Sequence, residues 1–368
     1  MRKFYLDNIR WLIVFSVLPF HVFFVSNNSG IGGAMPGMTN IPLMDTLALG
    51  LYNPWIMPLI CLISGIAARF SLRKRSSKQF LKERVDKLLV PGTLGLLVYQ
   101  WLTSYITVYA TDPSTLENNT GPIASFIKYI LFALNGTGPL WVVQVLFLCC
   151  CVLLLLRKID KDDKLWTICE KINFPVLLSL CFVVWVFANL LDLELSTNAL
   201  SRYRVGTCLA TFLIGYYVIS HEKIQELVEK KVSLLSFFAI VSTVALAAYL
   251  IINKGDYNNV MLSQDLFTVW YIWVVMLAVI GFSRRHLNKE TALTRYMSKI
   301  SYGLLTVHYP ILLFLCVVIP PLGLPVFLNH TLIMILEIIL SFVAYGVLKR
   351  IPIVRYCIFG YRKKQLVK

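Results

Sequence analysis

Charged residues are scarce in this chain, at 15% of 368 positions, whereas apolar residues make up 58% and the mean hydropathy is +0.71. A soluble domain has about a quarter of its residues charged, so this scarcity excludes a water-soluble globular domain as the main architecture. Apolar blocks of roughly 20 residues recur between short polar segments, and they must be helical because lipid offers the backbone no hydrogen bonds. We therefore predict an all-α, multi-pass membrane protein in which residues 1–368 form a single integral membrane domain.

The apolar blocks predict ten transmembrane helices. One further apolar segment, Ile123–Leu134, is too short to span and contains Lys128, so we interpret it as an interfacial or re-entrant helix. The predicted spans are Ile9–Val25, Thr46–Ala68, Leu88–Ala110, Pro139–Leu156, Phe174–Leu191, Val205–Ser220, Val232–Ile252, Leu266–Phe282, Ile300–Ile319 and Val326–Leu348.

Acidic residues are also few, with 19 against 35 basic residues and a formal net charge of +16. Of the 35 basic residues, 31 fall in alternate polar segments between the predicted spans. This alternation follows the positive-inside rule and predicts cytoplasmic N- and C-termini. Since orientation against anionic membrane lipids explains the charge, we predict no nucleic-acid partner.

The cysteines lack the spacing of any zinc motif. Seven of the nine fall inside predicted spans, where cysteine usually serves as a small apolar packing residue. We therefore predict no metal site.

Ionisable residues at membrane depth are rare and costly, so each is a functional candidate. His21, His308 and Glu337 lie in the first, ninth and tenth predicted spans, about 13–18 Å from the cytoplasmic ends at 1.5 Å per residue. Each also has a structural interpretation, because a polar side chain in a helix bundle often simply hydrogen-bonds a neighbouring helix. We predict catalytic roles for all three, and the structural alternative stays open for His308 and Glu337.

Arg10 and His21 form the most informative pair. The eleven steps between them, at about 100° each, return to within about 20° of the same helix face. Such a pair suits acyl transfer, with a cation that holds an anionic donor and a deeper neutral histidine that takes the proton of an attacking hydroxyl. Acyl-CoA fits, because its phosphates and its thioester lie far apart. Asp7 is spaced to hold the Arg10 guanidinium by an i,i+3 contact and would thereby help bind the donor.

The residues around this pair resemble the acyltransferase 3 family of membrane proteins, which move acyl groups onto surface glycans and other acceptors. The segment Tyr5–Arg10 is similar to the opening motif of that family. The spacing from Arg10 to His21 also matches that of its best-established functional arginine and histidine. The resemblance implies that Arg10 and His21 carry catalysis.

Two later segments extend the resemblance. Phe80–Pro91 is similar to the second motif of the family, which implies that Arg84 and Lys87 bind the donor, with lysine at a usual arginine position. Ile300–Pro310 is similar to its late Ser-Tyr and His-Pro motif, which supports the catalytic assignment of His308.

Candidate acceptor contacts lie at the outer mouth of the fourth predicted span and in a predicted outer loop. Gly138–Trp141 is similar to a Gly-His-Leu-Trp element of the family, with Pro139 in place of the histidine. Trp141 is a candidate for stacking on sugar rings, although an aromatic belt explains it equally well. Arg202 and Arg204 are candidates for binding an acidic or phosphorylated acceptor, with an interfacial anchor as the alternative.

Two smaller features, Pro19–His21 and Arg350–Pro352, resemble the branch of the family that succinylates periplasmic glucans. The implied function is transfer of an acetyl or succinyl group from cytoplasmic acyl-CoA to an extracytoplasmic carbohydrate or lipid-linked acceptor. The implied location is a bacterial inner or plasma membrane.

Two other functions remain open. A proton-coupled secondary transporter or flippase would use buried His and Glu residues as a proton relay, but such folds usually show internal repeats and we find none in the sequence. A non-catalytic scaffold in glycan export would tolerate the loss of His21.

Overall fold

The structure is a computed structural model that describes residues 3–27, 35–117, 121–192, 204–252 and 264–362. Within these ranges the regular structure is helical and no strand occurs. Eight helical segments in the same ranges are long and apolar enough to cross a membrane, which confirms the predicted all-α, multi-pass architecture. They are Phe4–Ser26, Pro42–Leu72, Gly138–Ile159, Phe174–Leu191, Val232–Ile252, Leu266–His286, Ala292–Leu322 and Val326–Leu348.

Two of the ten predicted spans differ from this set. The predicted span Leu88–Ala110 consists of short helices separated by π-helical turns at Val85–Leu89 and Leu96–Gln100. The predicted span Val205–Ser220 is a shorter apolar helix, Val205–Ile219, whose last five residues form another π turn. Hydropathy does not reveal such turns, because they change the hydrogen-bond register and not the composition. The count of ten and the cytoplasmic termini stay predictions.

We number in chain order the helices that the description below uses. A short helix, Pro42–Asp45, and a π turn, Thr46–Tyr52, precede the second of them. The helices are α1 (Phe4–Ser26), α2 (Asn53–Leu72), α3 (Ser77–Arg84), α4 (Val90–Gly95), α5 (Trp101–Thr111), α6 (Pro122–Asn135), α7 (Trp141–Ile159), α8 (Phe174–Leu191), α9 (Val205–Ile214), α10 (Glu222–Lys230), α11 (Val232–Ile252), α12 (Leu266–His286), α13 (Ala292–Val318), α14 (Val326–Leu348) and α15 (Pro352–Phe359).

The chain divides into two compact units, each assembled from segments that are distant in sequence. Unit 1 comprises Met1–Ile13, Thr46–Arg84 and Val145–Ser298. Unit 2 comprises Val14–Asp45, Val85–Gln144 and Lys299–Lys368. The organisation as one integral membrane domain stays a prediction.

Unit 1 contains a close crossing of α2 with α9 and the π turn that follows it. A Cβ atom at Gly65 would lie 2.0 Å from the carbonyl oxygen of Phe212, and one at Gly215 would lie 2.1 Å from that of Leu62. Glycine is required at both positions because any side chain would force the backbones apart. Gly65 and Gly215 therefore have a packing role.

Arg69, near the end of α2, organises another part of unit 1. Its buried guanidinium donates to the Asp163 carboxylate at 2.8 and 3.2 Å and to the Tyr216 hydroxyl at 3.2 Å. The guanidinium carbon also lies 4.3 Å from the centroid of the Trp166 ring, a cation–π contact. The hydrogen bond from Arg69 lowers the pKa of Asp163 below its ordinary value, because it stabilises the charged carboxylate.

Unit 2 has an apolar core to which the second half of α1, α13 and α14 contribute, with Val22, Leu312 and Ile333 fully buried in it. Near the chain end, α15 packs on α4. The Asp86 carboxylate accepts hydrogen bonds from the Tyr356 hydroxyl at 3.0 Å and the Arg362 guanidinium at 2.6 Å. These bonds tie residues 356–362 to the segment that precedes α4.

All nine cysteines lie in the described ranges and are free thiols, and seven of them are buried. No group of three or more His, Cys, Asp or Glu residues in those ranges is arranged to hold a metal ion. The cysteines fill space as small apolar side chains.

Candidate active site

Two histidines meet inside unit 2. His21 on α1 and His308 on α13 are buried, and His21 Nδ1 lies 3.1 Å from His308 Nε2. The ring centroids are 5.1 Å apart. The sequence placed both residues at mid-membrane depth, but their contact across 287 positions needs the tertiary fold. The structure thus brings together two of the four predicted catalytic residues.

The hydrogen bonds around this pair define one consistent arrangement of ring protons. His308 Nδ1 lies 3.1 Å from the Leu304 carbonyl oxygen, which can only accept, so Nδ1 carries the proton and donates it. His308 Nε2 then accepts a hydrogen bond from His21 Nδ1. With both rings neutral, this arrangement leaves the lone pair of His21 on Nε2, which is the nitrogen able to take a proton from a hydroxyl group.

Aromatic rings surround His21. The rings of Phe20, Phe24 and Tyr309 contact it edge-on, with centroid distances of 5.0, 5.9 and 5.0 Å. Gly138 in turn packs on Tyr309, since a Cβ atom there would lie 2.9 Å from Tyr309 Cδ1, and its φ of 47° also favours glycine. The glycine of the motif at 138–141 thus supports a ring that contacts His21.

Two side chains that the sequence analysis missed hold α13 at this site. Pro310 has no amide hydrogen, so the Thr306 carbonyl oxygen lacks its helical donor. Gln100, which is buried, donates to that oxygen from Nε2 at 2.6 Å. The Tyr99 hydroxyl donates to the next carbonyl oxygen, that of Val307, at 3.0 Å. Two features of the sequence could have predicted this contact: Gln100 lies in an apolar segment, and Pro310 lies within the late motif.

Glu337, the fourth predicted catalytic residue, lies on α14 in unit 2 and is fully buried. Neither of its carboxyl oxygens has a hydrogen-bond partner among the described residues, and the same holds for the Ser341 hydroxyl one turn later. The Cys316 thiol of α13 lies within electrostatic range. Among the described residues, no hydrogen bond joins Glu337 to the histidine pair. The catalytic role of Glu337 therefore stays a prediction.

Three of the predicted donor-binding residues lie in unit 1. Arg10 Nη1 donates to Asp7 Oδ1 at 3.3 Å, which is the i,i+3 contact that the spacing predicts. Arg84 ends α3, lies within electrostatic range of Arg10 and places its guanidinium 4.8 Å from the Phe80 ring centroid. Its buried Nε has no hydrogen-bond partner among the described residues. Two neighbouring cations attract an anion. Lys87 lies in the π turn after α3 and belongs to unit 2.

The predicted acceptor-binding residues have separate locations. Arg202 lies outside the described residues. Arg204, in unit 1, donates to the Pro54 carbonyl oxygen at 3.2 Å. Because Pro58 has no amide hydrogen, that oxygen lacks a helical donor, and Arg204 satisfies it. Trp141 begins α7 in unit 2 and is partly buried.

Comparison with known proteins identifies the family. The model of a family described as Acyltransferase domain matches residues 3–346, which include both histidines. The chain belongs to this acyltransferase family. Membership confirms the resemblance drawn from the motifs at Arg10, His21 and His308, and it makes the protein a membrane acyltransferase.

The curated relatives of this acyltransferase are similar over nearly their whole length. Glucans biosynthesis protein C of Escherichia coli O81 (strain ED1a) is 23% identical over 98% of this chain and 94% of its own length. The protein of the same name from Escherichia coli O1:K1 / APEC is 23% identical with the same coverage. These names agree with the resemblance to the glucan-succinylating branch. No solved structure matches the chain.

Proposed function

We propose that this membrane acyltransferase moves an acetyl or succinyl group from cytoplasmic acyl-CoA to a hydroxyl of an extracytoplasmic glycan or lipid-linked carbohydrate. The observation that carries the proposal is the 3.1 Å hydrogen bond between His21 and His308, which directs the lone pair of His21 to Nε2. The name of the relatives, Glucans biosynthesis protein C, supports a carbohydrate acceptor.

In the proposed mechanism His21 is the general base. Its Nε2 takes the proton of the acceptor hydroxyl while the oxygen attacks the thioester carbonyl carbon. His308 orients the imidazole and stabilises the imidazolium through the hydrogen bond to Nδ1. The tetrahedral intermediate then expels the CoA thiolate, and the imidazolium returns its proton to the sulfur. The products are the acyl ester and free CoA.

The proposed donor-binding residues act through charge. Arg10 and Arg84 bind the CoA phosphates, and Asp7 orients Arg10 through the contact at 3.3 Å. The buried Nε of Arg84, which has no hydrogen-bond partner among the described residues, supports this assignment. Lys87 adds a further positive charge in the same motif.

A transporter or flippase is a second candidate because of Glu337 alone. A fully buried carboxyl group without a hydrogen-bond partner among the described residues is the kind of group that relays protons in transporters. Family membership favours acyl transfer.

Membrane vesicles of both orientations test the proposed chemistry and its direction. The vesicles carry wild type, His21→Ala or, as a matched control, His286→Ala, which changes an exposed histidine at the end of α12. With isotope-labelled acetyl-CoA or succinyl-CoA added outside, wild type and His286→Ala should form labelled glycan ester only in inverted vesicles. His21→Ala should form at least about 100-fold less. Equal ester formation by His21→Ala contradicts the role of the base, and activity only in right-side-out vesicles contradicts the direction.

Donor recognition has its own test. Replacing Arg84 by Gln should raise the KM for acyl-CoA about tenfold, the size of a lost charged hydrogen bond. The KM for the corresponding acyl-pantetheine, which lacks the nucleotide phosphates, should stay unchanged. Lys78→Gln, an exposed change on α3, is the control. An equal rise in KM for both donors contradicts phosphate binding by Arg84.

A further inference from the structure

A cluster of buried polar side chains in unit 2 lies where α14 begins. Asp45, Asn329 and His330 are only 1%, 5% and 2% exposed. Three of their polar atoms have no hydrogen-bond partner among the described residues: Asp45 Oδ1, Asn329 Oδ1 and His330 Nε2. Buried polar atoms are normally paired, so three such atoms in one region call for a ligand or ordered water.

Among the described residues, only one of the two carboxyl oxygens of Asp45 accepts hydrogen bonds from side chains. Asn27 Nδ2 donates to Asp45 Oδ2 at 2.7 Å, and Asn40 Nδ2 donates to the same oxygen at 3.3 Å. His330 lies within electrostatic range of this carboxyl group. The second carboxyl oxygen and the imidazole therefore lie in the same region.

His330 and Asn329 add two more acceptors. His330 Nδ1 lies 2.8 Å from the Val326 carbonyl oxygen, so Nδ1 carries a proton, and in the neutral imidazole Nε2 then holds the lone pair. The Phe23 ring stacks on this imidazole, with centroids 5.8 Å apart. Asn329 Nδ2 contacts Met38 Sδ at 3.8 Å, which leaves its amide oxygen to accept. All three atoms are thus hydrogen-bond acceptors.

Neighbouring acceptors need a ligand that is rich in donors and carries no negative charge. Sugar hydroxyls supply such donors, whereas a phosphate or carboxylate would be repelled by Asp45. A resident metal ion fits less well, because the imidazole of His330 suits metals such as zinc or copper, whereas the amide oxygen of Asn329 suits magnesium or calcium, and no third His, Cys, Asp or Glu residue in the described part of the chain completes a group for either kind. An uncharged polyhydroxylated ligand therefore matches the cluster best.

The position of the cluster relates it to the histidine pair of the same unit. Asn27 follows His21 by six residues, about 9 Å along a helix axis. Phe24 contacts the His21 ring edge-on, and Phe23 stacks on His330. Because Phe23 and Phe24 are neighbours on α1, the cluster and the histidine pair lie close together in unit 2.

We infer that Asp45, Asn329 and His330 form a subsite for an uncharged, hydroxyl-rich glycan, which holds one sugar residue while a hydroxyl of its neighbour reacts at His21. The inference rests on the proposed acyl transfer and narrows its acceptor. The sequence suggested an acidic or phosphorylated acceptor through Arg202 and Arg204. The cluster selects a neutral one.

Direct binding to the full-length protein in nanodiscs tests the subsite without any donor. The probes are an unsubstituted glucan oligosaccharide and the same oligosaccharide with one primary hydroxyl phosphorylated. Wild type should bind the neutral probe at least about tenfold more tightly than the phosphorylated one. Asp45→Asn, Asn329→Leu and His330→Phe should each weaken binding of the neutral probe about tenfold. Thr331→Val, which removes a hydroxyl bonded to the Phe327 carbonyl oxygen of its own helix, should not.

Folding and catalysis are checked in the same samples. Each variant should keep the wild-type affinity for acyl-CoA, and the acceptor KM should rise with little change in kcat. The subsite is overturned if all three variants bind the neutral probe with wild-type affinity or if wild type does not bind that probe. It is also overturned if wild type prefers the phosphorylated probe or if binding disappears when a chelator removes divalent cations. If wild type binds the neutral probe but transfers no acyl group, the proposed function fails while the subsite stands.

Discussion

With both rings neutral, His308 accepts a hydrogen bond from His21 and donates one to the Leu304 carbonyl oxygen. Together with the Val17 carbonyl oxygen, which also bonds the His21 ring, His308 sets the tautomer and the orientation of the proposed base. A lone buried histidine would have been compatible with a purely structural role. The pair supports the proposed catalysis, because a hydrogen bond donated by His21 Nδ1 leaves the lone pair of His21 on Nε2.

Replacing His308 by alanine should lower kcat about 100-fold and leave the KM for acyl-CoA within a few-fold of wild type, because the base loses its orientation and not its donor. His308→Gln should recover part of the loss, since its side-chain oxygen can accept from His21 Nδ1. Steady-state rates of ester formation in nanodiscs measure both. If alanine and glutamine variants both match wild type, His308 does not position the base.

The Arg69–Asp163 pair makes stability depend on pH. The hydrogen bond from Arg69 lowers the pKa of Asp163 in the folded protein, so the pair stabilises above the ordinary aspartate pKa of about 3.9, and this contribution is lost as pH falls through the lowered value. Because the carboxylate is 39% exposed, we expect an effect below about 1 kcal/mol. Melting temperatures between pH 6 and pH 3 should fall more steeply for wild type than for Asp163→Asn. Parallel curves would show that the pair does not titrate with folding.

At the scale of helices, α13 depends on hydrogen bonds from other segments, because Pro310 interrupts its own hydrogen-bond pattern. Gln100 supplies the hydrogen bond that Pro310 cannot, and Tyr99 supports the next carbonyl. The late motif therefore needs a hydrogen-bond donor from another segment. Pro310, two residues after His308, cannot donate to the Thr306 carbonyl oxygen, which lies near the proposed base.

A double-mutant cycle tests this support. Gln100→Leu should lower the free energy of unfolding by about 1–3 kcal/mol, because the buried Thr306 carbonyl then lacks a donor. In a Pro310→Ala background the helix restores its own amide donor, so the same change should cost much less. Thermal or denaturant unfolding in detergent measures all four proteins. An equal cost in both backgrounds would mean that Gln100 acts through some other contact.

Gly65 offers a second test at this scale. Gly65→Ala should separate α2 from α9 and lower the melting temperature strongly, because a Cβ atom there would overlap the Phe212 carbonyl oxygen. Gly346→Ala on α14 is the matched control, since a Cβ atom there meets nothing within 4 Å. Comparable melting temperatures for the two variants would contradict the close crossing.

The sequence predicted helices well and supporting contacts poorly, for physical reasons. Long apolar blocks in lipid can only be helical, so the spans around His21 and His308 followed from composition. Gln100 was missed because its role depends on a proline more than 200 positions away. Asp45 and His330 were missed because polar residues are ordinary at the ends of predicted spans.

At the scale of the whole molecule, the candidate residues divide between the two units. Unit 1 contains the cations Arg10 and Arg84, and unit 2 contains the histidine pair together with Asp45, Asn329 and His330. Family membership assigns acyl transfer to the chain, and the spacing from Arg10 to His21 predicted this from the sequence alone.

The central claim is that His21 accepts the proton of the acceptor hydroxyl. The most direct test compares wild type and His21→Ala in nanodiscs. Mass spectrometry follows a single turnover of acyl transfer from isotope-labelled acyl-CoA to a neutral glucan oligosaccharide. Binding of acyl-CoA is measured in parallel. We expect His21→Ala to bind acyl-CoA with wild-type affinity and to transfer at least about 100-fold more slowly. Transfer at the wild-type rate by His21→Ala would contradict the account.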